Sequence, residues 1–426
     1  MSMTVSRRCF VQGAAATLLG GCCWGRMARA AVEDVRAPVR QITRGPKFHW
    51  FGYYDKLQFD PTDRYVLGME VDFEHRSPRP DDVVTIGMVD LQDGDRWIEL
   101  GRTTAWCWQQ GCMLQWRPGS RTEVLWNDRE QDRYVCRILD VETRALRTVP
   151  HPVYSVSPDG RWAVATDFRR VADTRPGYGY NGILDPYRDE LMPGESGIWH
   201  VDLETGQAKL VISLADIAST PPLPGDLSKA KHWFNHLLVN PDGTRFEFLH
   251  RWKVPESRGL ISGTRMFTAA PDGTAIRFLN SDTSHFNWRD PRHVIAWARH
   301  NPQGMGFFIF EDANGGLVEP LPKDAIPANG HVSYLPGLQW LLADSYPDAE
   351  DRQHVVLYNI PQSRRFNVGS FPLPREYNHK YIQEPSRECR CDLHPRFSRD
   401  GRGVVIDAPH SGGRQLHLID VSAIVG

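Results

Sequence analysis

"HWFNHLLVNPDGTRFEFLHRW" (residues 232–252) sets a histidine, His236, five residues ahead of Pro241 in a Pro-Asp-Gly turn, and a second strand-like run follows the turn. The arrangement recurs in "GHVSYLPG" (330–337) and in "DLHPRFSRDG" (392–401). Aligning the turns exposes a repeat along the chain. Its units read "YYDKLQFDPTDRYVLGMEVDF" (53–73), "CMLQWRPGSRTEVLWND" (112–128) and "VYSVSPDGRWAVATDF" (153–168). They continue with "HLLVNPDGTRFEFLHRW" (236–252), "HFNWRDPRHVIAWAR" (285–299), "HVSYLPGLQWLLADSYPD" (331–348) and "HPRFSRDGRGVVIDAP" (394–409).

Each unit reads strand, tight turn, strand, loop, strand and a short final strand, rich in Val, Ile, Tyr, Phe and Trp. Four antiparallel strands in about 54 residues is the grammar of a propeller blade. One blade cannot bury both faces of its sheet, whereas neighbours stacked in a ring can. The expectation is an all-β, seven-bladed β-propeller built of four-stranded antiparallel blades, a single domain over 31–426. "VRQITR" (39–44) is placed to supply a closing strand to the seventh blade. A pair of β-sandwiches is the structural rival, disfavoured because one turn register recurs throughout.

Residues 1–30 are set apart as an export signal. "SRRCFVQGAAATLLGG" (6–21) pairs Arg7 with Arg8 ahead of an apolar run, as a twin-arginine signal does. That run is shorter than the roughly 20 residues that cross a bilayer. "ARAA" (28–31) offers a cleavage site after Ala30, and "LGGC" (19–22) offers a lipoprotein site at Cys22. A periplasmic protein with no transmembrane segment is expected, and a ring complete within one chain is expected to be a monomer. The formal net charge of −2 gives no electrostatic case for nucleic acid or a membrane surface. Of 8 cysteines, Cys9, Cys22 and Cys23 lie in the leader, leaving Cys107, Cys112, Cys136, Cys389 and Cys391, an odd set that is no disulfide framework. Fourteen tryptophans and thirteen tyrosines provide flat faces that suit sugar rings, although most are expected to pack between sheets.

In a propeller the innermost strands line a central channel, so equivalent positions in different blades face one axis. His236 and His331 each stand five residues before a turn proline, and His394 stands five before Arg399. His285 stands six before Pro291, an offset that a bulge accommodates. Four imidazoles from blades four to seven are therefore expected around one funnel. With a carboxylate or thiolate beside them they suit a divalent metal ion, zinc, manganese or calcium, to which "CRCDLHPRF" (389–397) adds Cys389, Cys391 and Asp392 as further candidate ligands, Cys391 foremost. Histidines that only hydrogen-bond one another and water are the alternative. "DTRPGYGYNGILDPYRDE" (173–190) is a loop insertion in blade three by its glycines and prolines, and it makes Arg175, Tyr178 and Tyr180 candidates for binding or proton transfer. Trp288 and Arg289 join Tyr178 as candidate substrate contacts.

The blade grammar, the blade-start histidines, "RPGYGY" (175–180) and "RCDLHPRFSRDG" (390–401) together resemble the seven-bladed propeller polysaccharide lyases, of oligogalacturonate, ulvan and rhamnosyl-glucuronate lyase type. The resemblance implies cleavage beside a uronic acid by β-elimination in an oligo- or polysaccharide. That chemistry needs the uronate carboxylate neutralised, a base for the C5 proton and an acid for the departing oxygen. Carried over, His236 is the base, Arg251 the carboxylate partner, and Tyr180 the acid or an alternative base. His285, His331 and His394 hold the metal. His250 neighbours Arg251, and only one of that pair can point inward. Two other readings remain open: a non-catalytic glycan- or protein-binding propeller, and a glycoside hydrolase, which needs two carboxylates about 5–10 Å apart. Asp128, Asp344 and Asp407, at comparable places on second strands, are candidates for that pair.

Overall fold

The computed structural model describes residues 31–383 and 386–426. The expected leader, with Arg7, Arg8 and Cys22, lies outside the described residues. Seven sheets, each with four antiparallel strands at its heart, make a seven-bladed β-propeller. Blade one pairs Phe48–Trp50, Tyr65–Val71, Val84–Asp90 and Arg96–Thr103 in that order. Blade four pairs Lys231–Val239, Phe246–Lys253, Gly263–Ala269 and Arg277–Ser281, and blade five starts with Thr283–Asp290. The inner strands of blades six and seven are Val332–Tyr334 and Arg396–Phe397.

The recurrent turn has one physical cause. In "SPDG", "NPDG" and "SRDG" the aspartates 159, 242 and 400 accept the backbone N–H two residues on, at 3.1, 3.0 and 2.9 Å. Gly160, Gly243 and Gly401 then turn the chain at φ 72°, 72° and 75°, where a Cβ is disfavoured. Hydrophobic clusters fill the gaps between successive blades. Among the described residues no helix is long and apolar enough to cross a membrane.

The ring closes as the sequence implied. Val39–Gln41 pairs antiparallel with Gln415–Asp420, adding the outer strand of blade seven. Thr43 fixes this seam, its hydroxyl donating to Gln415 at 2.7 Å and accepting from the Leu416 N–H at 2.9 Å. Two features depart from the sequence reading. Ala31–Asp34 adds a fifth, parallel strand to blade six, against Arg364–Pro372. Blade one begins at Phe48 rather than Tyr53; its inner strand is interrupted after Trp50 and resumes at the Phe59–Val66 bridge. The intervening residues leave the sheet at Gly52 (φ 98°), where a Cβ would stand 2.9 Å from the Gln110 backbone.

Because Thr43 joins first and last blades through two buried hydrogen bonds, Thr43→Val is expected to cost about 1–3 kcal/mol. Urea denaturation should show a lower midpoint with an unchanged slope.

Candidate functional site

The segment that leaves blade one fills the channel. Its tyrosines reach the axis: the Tyr53 ring lies 4.7 Å from His236, 5.5 Å from His394 and 6.0 Å from His331. Tyr54 lies 4.8 Å from the His331 ring, and its hydroxyl donates to the Phe286 carbonyl at 2.8 Å while accepting the Phe286 N–H at 3.1 Å. One side chain from blade one is thus tied to the inner strand of blade five across the pore.

Each histidine arrives by a local distortion. His236 is the extra residue of a bulge between Asn235 and Leu237 and adopts φ 49°. His394 adopts φ 44° just before its strand. Around His285 the pairing slips between Thr283 and Phe286, which absorbs its odd offset. Non-glycine residues held at positive φ are costly, and such strain gathers at sites where side-chain direction matters.

His285, His331 and His394 form one contiguous group, with ring centroids 4.3 and 4.1 Å apart in sequence. Asp344 orients two of them. It accepts the His331 Nδ1–H at 3.0 Å and the backbone N–H groups of His331 and His394 at 2.6 and 3.0 Å. A carboxylate only accepts, so the His331 Nδ1 is the donor of this pair and Nε2 is left as the ring's other nitrogen. Asn329 does the same for His285 at 2.9 Å. The Nε2 atom of His394 is buried without a partner. Burial, with His331 close by, holds the His394 imidazole well below its ordinary pKa, and burial does the same to His285. Ligand atoms of His331, Asp392 and His394 lie within 4.8 Å of one another. Neutral imidazoles braced by outer partners, with a carboxylate and an orphaned nitrogen, fit a divalent ion. Cys391 is not of this group: its thiol points to the Asp407 carbonyl at 3.7 Å, because the neighbouring residue, Asp392, takes the inward face.

His236 stands apart from these three. Its Nε2–H donates to Asp55 at 3.1 Å, its ring stacks on Phe286 at 4.0 Å, and Nδ1 faces the Tyr53 hydroxyl at 3.4 Å. Burial lowers its pKa to about 4 despite the opposing pull of Asp55. Burial alone would raise Asp55, yet Lys56, 2.9 Å away, and His236 bring it down to about 2.

Arg251 takes the inward face that His250 gives up. Its guanidinium is buried with Nε unpartnered, and among the described residues no carboxylate pairs with it or with Arg175, whose Nε is also unpartnered. Burial and the Arg175 charge lower Arg251 to about 10. His250 turns into blade four instead, where its ring lies parallel to His232 with nitrogens 2.8 Å apart. Arg265 donates to the other His250 nitrogen at 3.1 Å, so His250 is committed to structure.

A cavity of about 460 Å³ opens beside this hub, its walls including Arg175, Tyr178, Arg258, Tyr346, His379 and Arg390. Arg390 donates to the Tyr178 hydroxyl at 2.7 Å and to Asp392 at 2.9 Å, and Arg175 lies over the Tyr178 ring at 4.5 Å. Burial would raise Tyr178, but Arg390 and Arg175 outweigh it and leave the pKa below its ordinary value. Tyr53, packed against Tyr178, is raised well above, first by burial and then by Tyr178 and Asp55. Tyr346 reaches from the cavity to the His285 Nε2 at 3.4 Å.

Besides Cys391 and His250, three sequence candidates fall outside the site. Tyr180 is fully buried, stacked on Phe168 at 4.2 Å with its hydroxyl held by Asn127, because the insertion folds back onto the helix Phe168–Thr174. Trp288 packs between blades and donates to the Leu238 carbonyl at 3.0 Å. Arg289 is paired with Asp290 at 2.8 Å. The hydrolase carboxylates are likewise committed: Asp128 to Arg137, Asp407 to Arg396 and the Phe51 and Gly52 N–H groups, Asp344 to the histidines. Tyr53, Asp55, Tyr346 and Arg390 escaped sequence reading, whereas Asp392 was among the candidate ligands of "CRCDLHPRF" and does join the histidines. "YYDK" (53–56) did carry a signal, four polar or aromatic residues where a core strand should run.

No protein-family model matches the chain, and no relative is found among curated proteins. Solved structures do resemble it. An oligogalacturonate lyase in complex with manganese aligns at TM-score 0.62 and 16% identity over 92% of this chain and 98% of that one. The oligogalacturonate lyase of Vibrio parahaemolyticus aligns at TM-score 0.60 and 13% identity over 92% and 95%. At such identities the likeness speaks for the fold.

The buried cysteines lack any route to thiolate chemistry, since burial lifts Cys107, Cys136, Cys389 and Cys391 to about 12 and Cys112 well above its ordinary value. In a chain starting at Ala31, Ellman's reagent should find no rapidly reacting thiol until denaturant exposes all five. Fast labelling of Cys389 or Cys391 in the folded protein would contradict this packing.

Proposed function

We propose that this chain is a polysaccharide lyase that cleaves beside a uronic acid by β-elimination. The observation that carries the reading is the cavity wall, where Arg390 and Arg175, the latter without a carboxylate partner among the described residues, close on a tyrosine that both acidify. A wall with more guanidiniums, Arg175, Arg258, Arg387 and Arg390, than carboxylates, Glu388 alone, suits a ligand that brings carboxylates. The overall likeness to oligogalacturonate lyases supports the same substrate class, uronate-containing oligo- or polysaccharides.

The chemistry follows from the placement of charge. Arg175 and Arg390 at the cavity, with Arg251 behind them, draw electron density from the uronate carboxylate and acidify C5. Tyr178, its pKa held below the ordinary value by Arg390 and Arg175, takes the C5 proton. Proton transfer thus passes from His236, named by the sequence, to a tyrosine in the wall, because His236 is 1% exposed and enclosed by Tyr53, Tyr54 and Phe286. His331, Asp392 and His394, with His285 alongside, would hold a divalent ion. Such an ion supplies Lewis-acid charge to a carboxylate when bound. The export signal expected in residues 1–30 would bring the enzyme to glycans outside the inner membrane.

The expected result is rising absorbance in the unsaturated-uronate band when the protein meets a panel of pectic, ulvan-type and gum-type oligosaccharides. Tyr178→Phe should lower kcat about 10²-fold or more, and Arg175→Ala should lower kcat/KM about 10²-fold. Tyr180→Phe, remote from the cavity, should retain activity. The kcat/KM of the native protein should rise with pH through a Tyr178 ionisation lying below the usual tyrosine value of about 10. Sugar binding without absorbance change across the panel would instead favour a non-catalytic glycan-binding propeller.

Metal binding is tested separately. Equilibrium dialysis of untagged protein against manganese or zinc should retain one ion per chain. Asp392→Ala or His394→Ala should weaken retention by at least about 10-fold, while Cys391→Ser should leave it intact. Equal retention by all variants would remove the ion from this site.

A further inference from the structure

The second strand of every blade runs toward the same rim, so residues beyond those ends share one face of the ring. The cavity opens on that face, walled in part by Arg258 from the loop after the blade-four strand Phe246–Lys253. A separate groove of about 170 Å³ lies on it between blades two and three, where the second strands Glu123–Glu130 and Trp162–Thr166 end. Its lining includes two buried rings with fixed positions. Tyr134 donates its hydroxyl to the Tyr180 carbonyl at 2.8 Å, and Phe168 stacks on the Tyr180 ring. Trp199 and His151 are half-buried beside them, with ring centroids 5.6 Å apart. The Trp199 indole N–H has no partner among the described residues. His151 Nδ1 faces the Pro152 carbonyl at 2.9 Å and is the donor of that pair; burial favours the neutral ring, in which Nε2 accepts. Arg169 and Asp167 add a double ion pair, both hydrogen bonds 2.9 Å long, that sets donors and acceptors side by side.

Resting on the lyase reading above, we propose that this groove is an outer binding site for one pyranose unit of the same uronate-containing glycan, away from the bond that is cut. A pyranose ring offers an apolar C–H face, neighbouring hydroxyls and, in a uronate, a carboxylate. The Trp199 ring suits the face, and its N–H with the His151 Nε2 supplies a donor and an acceptor for hydroxyls. The Arg169–Asp167 pair suits two adjacent hydroxyls, and Arg133 at the groove adds a second guanidinium against the single carboxylate of Asp167. Sites for larger organic ligands run to about 300–1,000 Å³, so a groove of about 170 Å³ takes a single ring. One short element joins it to the cavity: the helix Phe168–Thr174 starts at the groove, and Arg175, directly after it, walls the cavity. Those 7 residues span about 10 Å along the helix axis. A glycan seated in the cavity therefore reaches the groove only by extending beyond the units being cut. Holding both places makes the second contact intramolecular, which favours long chains without altering the chemical step.

Affinity electrophoresis tests the groove without relying on activity, in gels holding polygalacturonate, ulvan or a glucuronate gum. At least one polymer should retard the wild-type protein. Trp199→Ala should weaken that affinity about 10-fold or more, whereas Trp199→Phe, which keeps a flat ring, should retain most of it. In kinetics, Trp199→Ala should raise KM about 10-fold on the retarding polymer with kcat unchanged, and should leave both constants unchanged on a disaccharide of the same composition. Wild type retarded by none of the polymers, or Trp199→Ala retarded as strongly as wild type, overturns the site and leaves the lyase reading in place. Equal losses on polymer and disaccharide overturn it too, because they mark damage to the whole protein rather than to an outer contact. Retardation that depends on Trp199, with no polymer cleaved, removes the lyase reading and keeps the groove as a glycan site.

Discussion

A blade of four strands has two apolar faces and can bury both only between neighbours. Stacking seven of them into a ring satisfies that need and forces seven inner strands to face one axis. Everything at the site depends on this constraint, because it brings His236, His285, His331 and His394 together from four blades. Closure through Val39–Gln41 and Thr43 holds the ring as one object.

An axis lined by polar side chains has to be filled, or its groups lose hydrogen bonds. Here the filler is the chain itself. The segment released at Gly52 carries Tyr53, Tyr54 and Asp55 into the pore, and the Tyr54 bonds to Phe286 pin it from the far side. A through-channel becomes a floor, and the cavity of Arg175, Tyr178 and Arg390 stands beside that floor. The buried polar groups divide into two systems: three histidines braced by Asp344 and Asn329, and the pair of Asp55 with His236. The first suits a cation and the second suits a proton.

The cationic wall is assembled from distant stretches. Arg175 comes from the blade-three insertion, Arg390 from the run into blade seven, and Arg251 from a second strand of blade four. Glu74 of blade one anchors the run into blade seven by pairing with Arg414 at 2.8 Å and accepting the Tyr377 hydroxyl at 2.6 Å. Arg414 in turn donates to the carbonyls of Cys389 and Arg390. The guanidinium of Arg390 is therefore presented by contacts that span the closure seam, far from any local motif.

The turn register determined the blades, and the histidine offsets determined that four imidazoles face one axis; both are local signals, carried by Asp and Gly in tight turns and by strand alternation. The pairing of Arg251 inward with His250 outward was half legible, since alternation demanded one of the two. Which one depended on Arg265 and His232, a tertiary matter. Tyr180 and Trp288 looked like surface aromatics and became core, because packing against Phe168 and between blades decides burial, and no residue spacing encodes it. Cys391 and Asp392 differ by one residue and thus by one strand face, so only the folded chain could select the carboxylate. The channel segment was the least legible of all. Its residues sit where the repeat predicted a strand, and the reason they leave it, the space inside a closed ring, does not exist until the ring has formed.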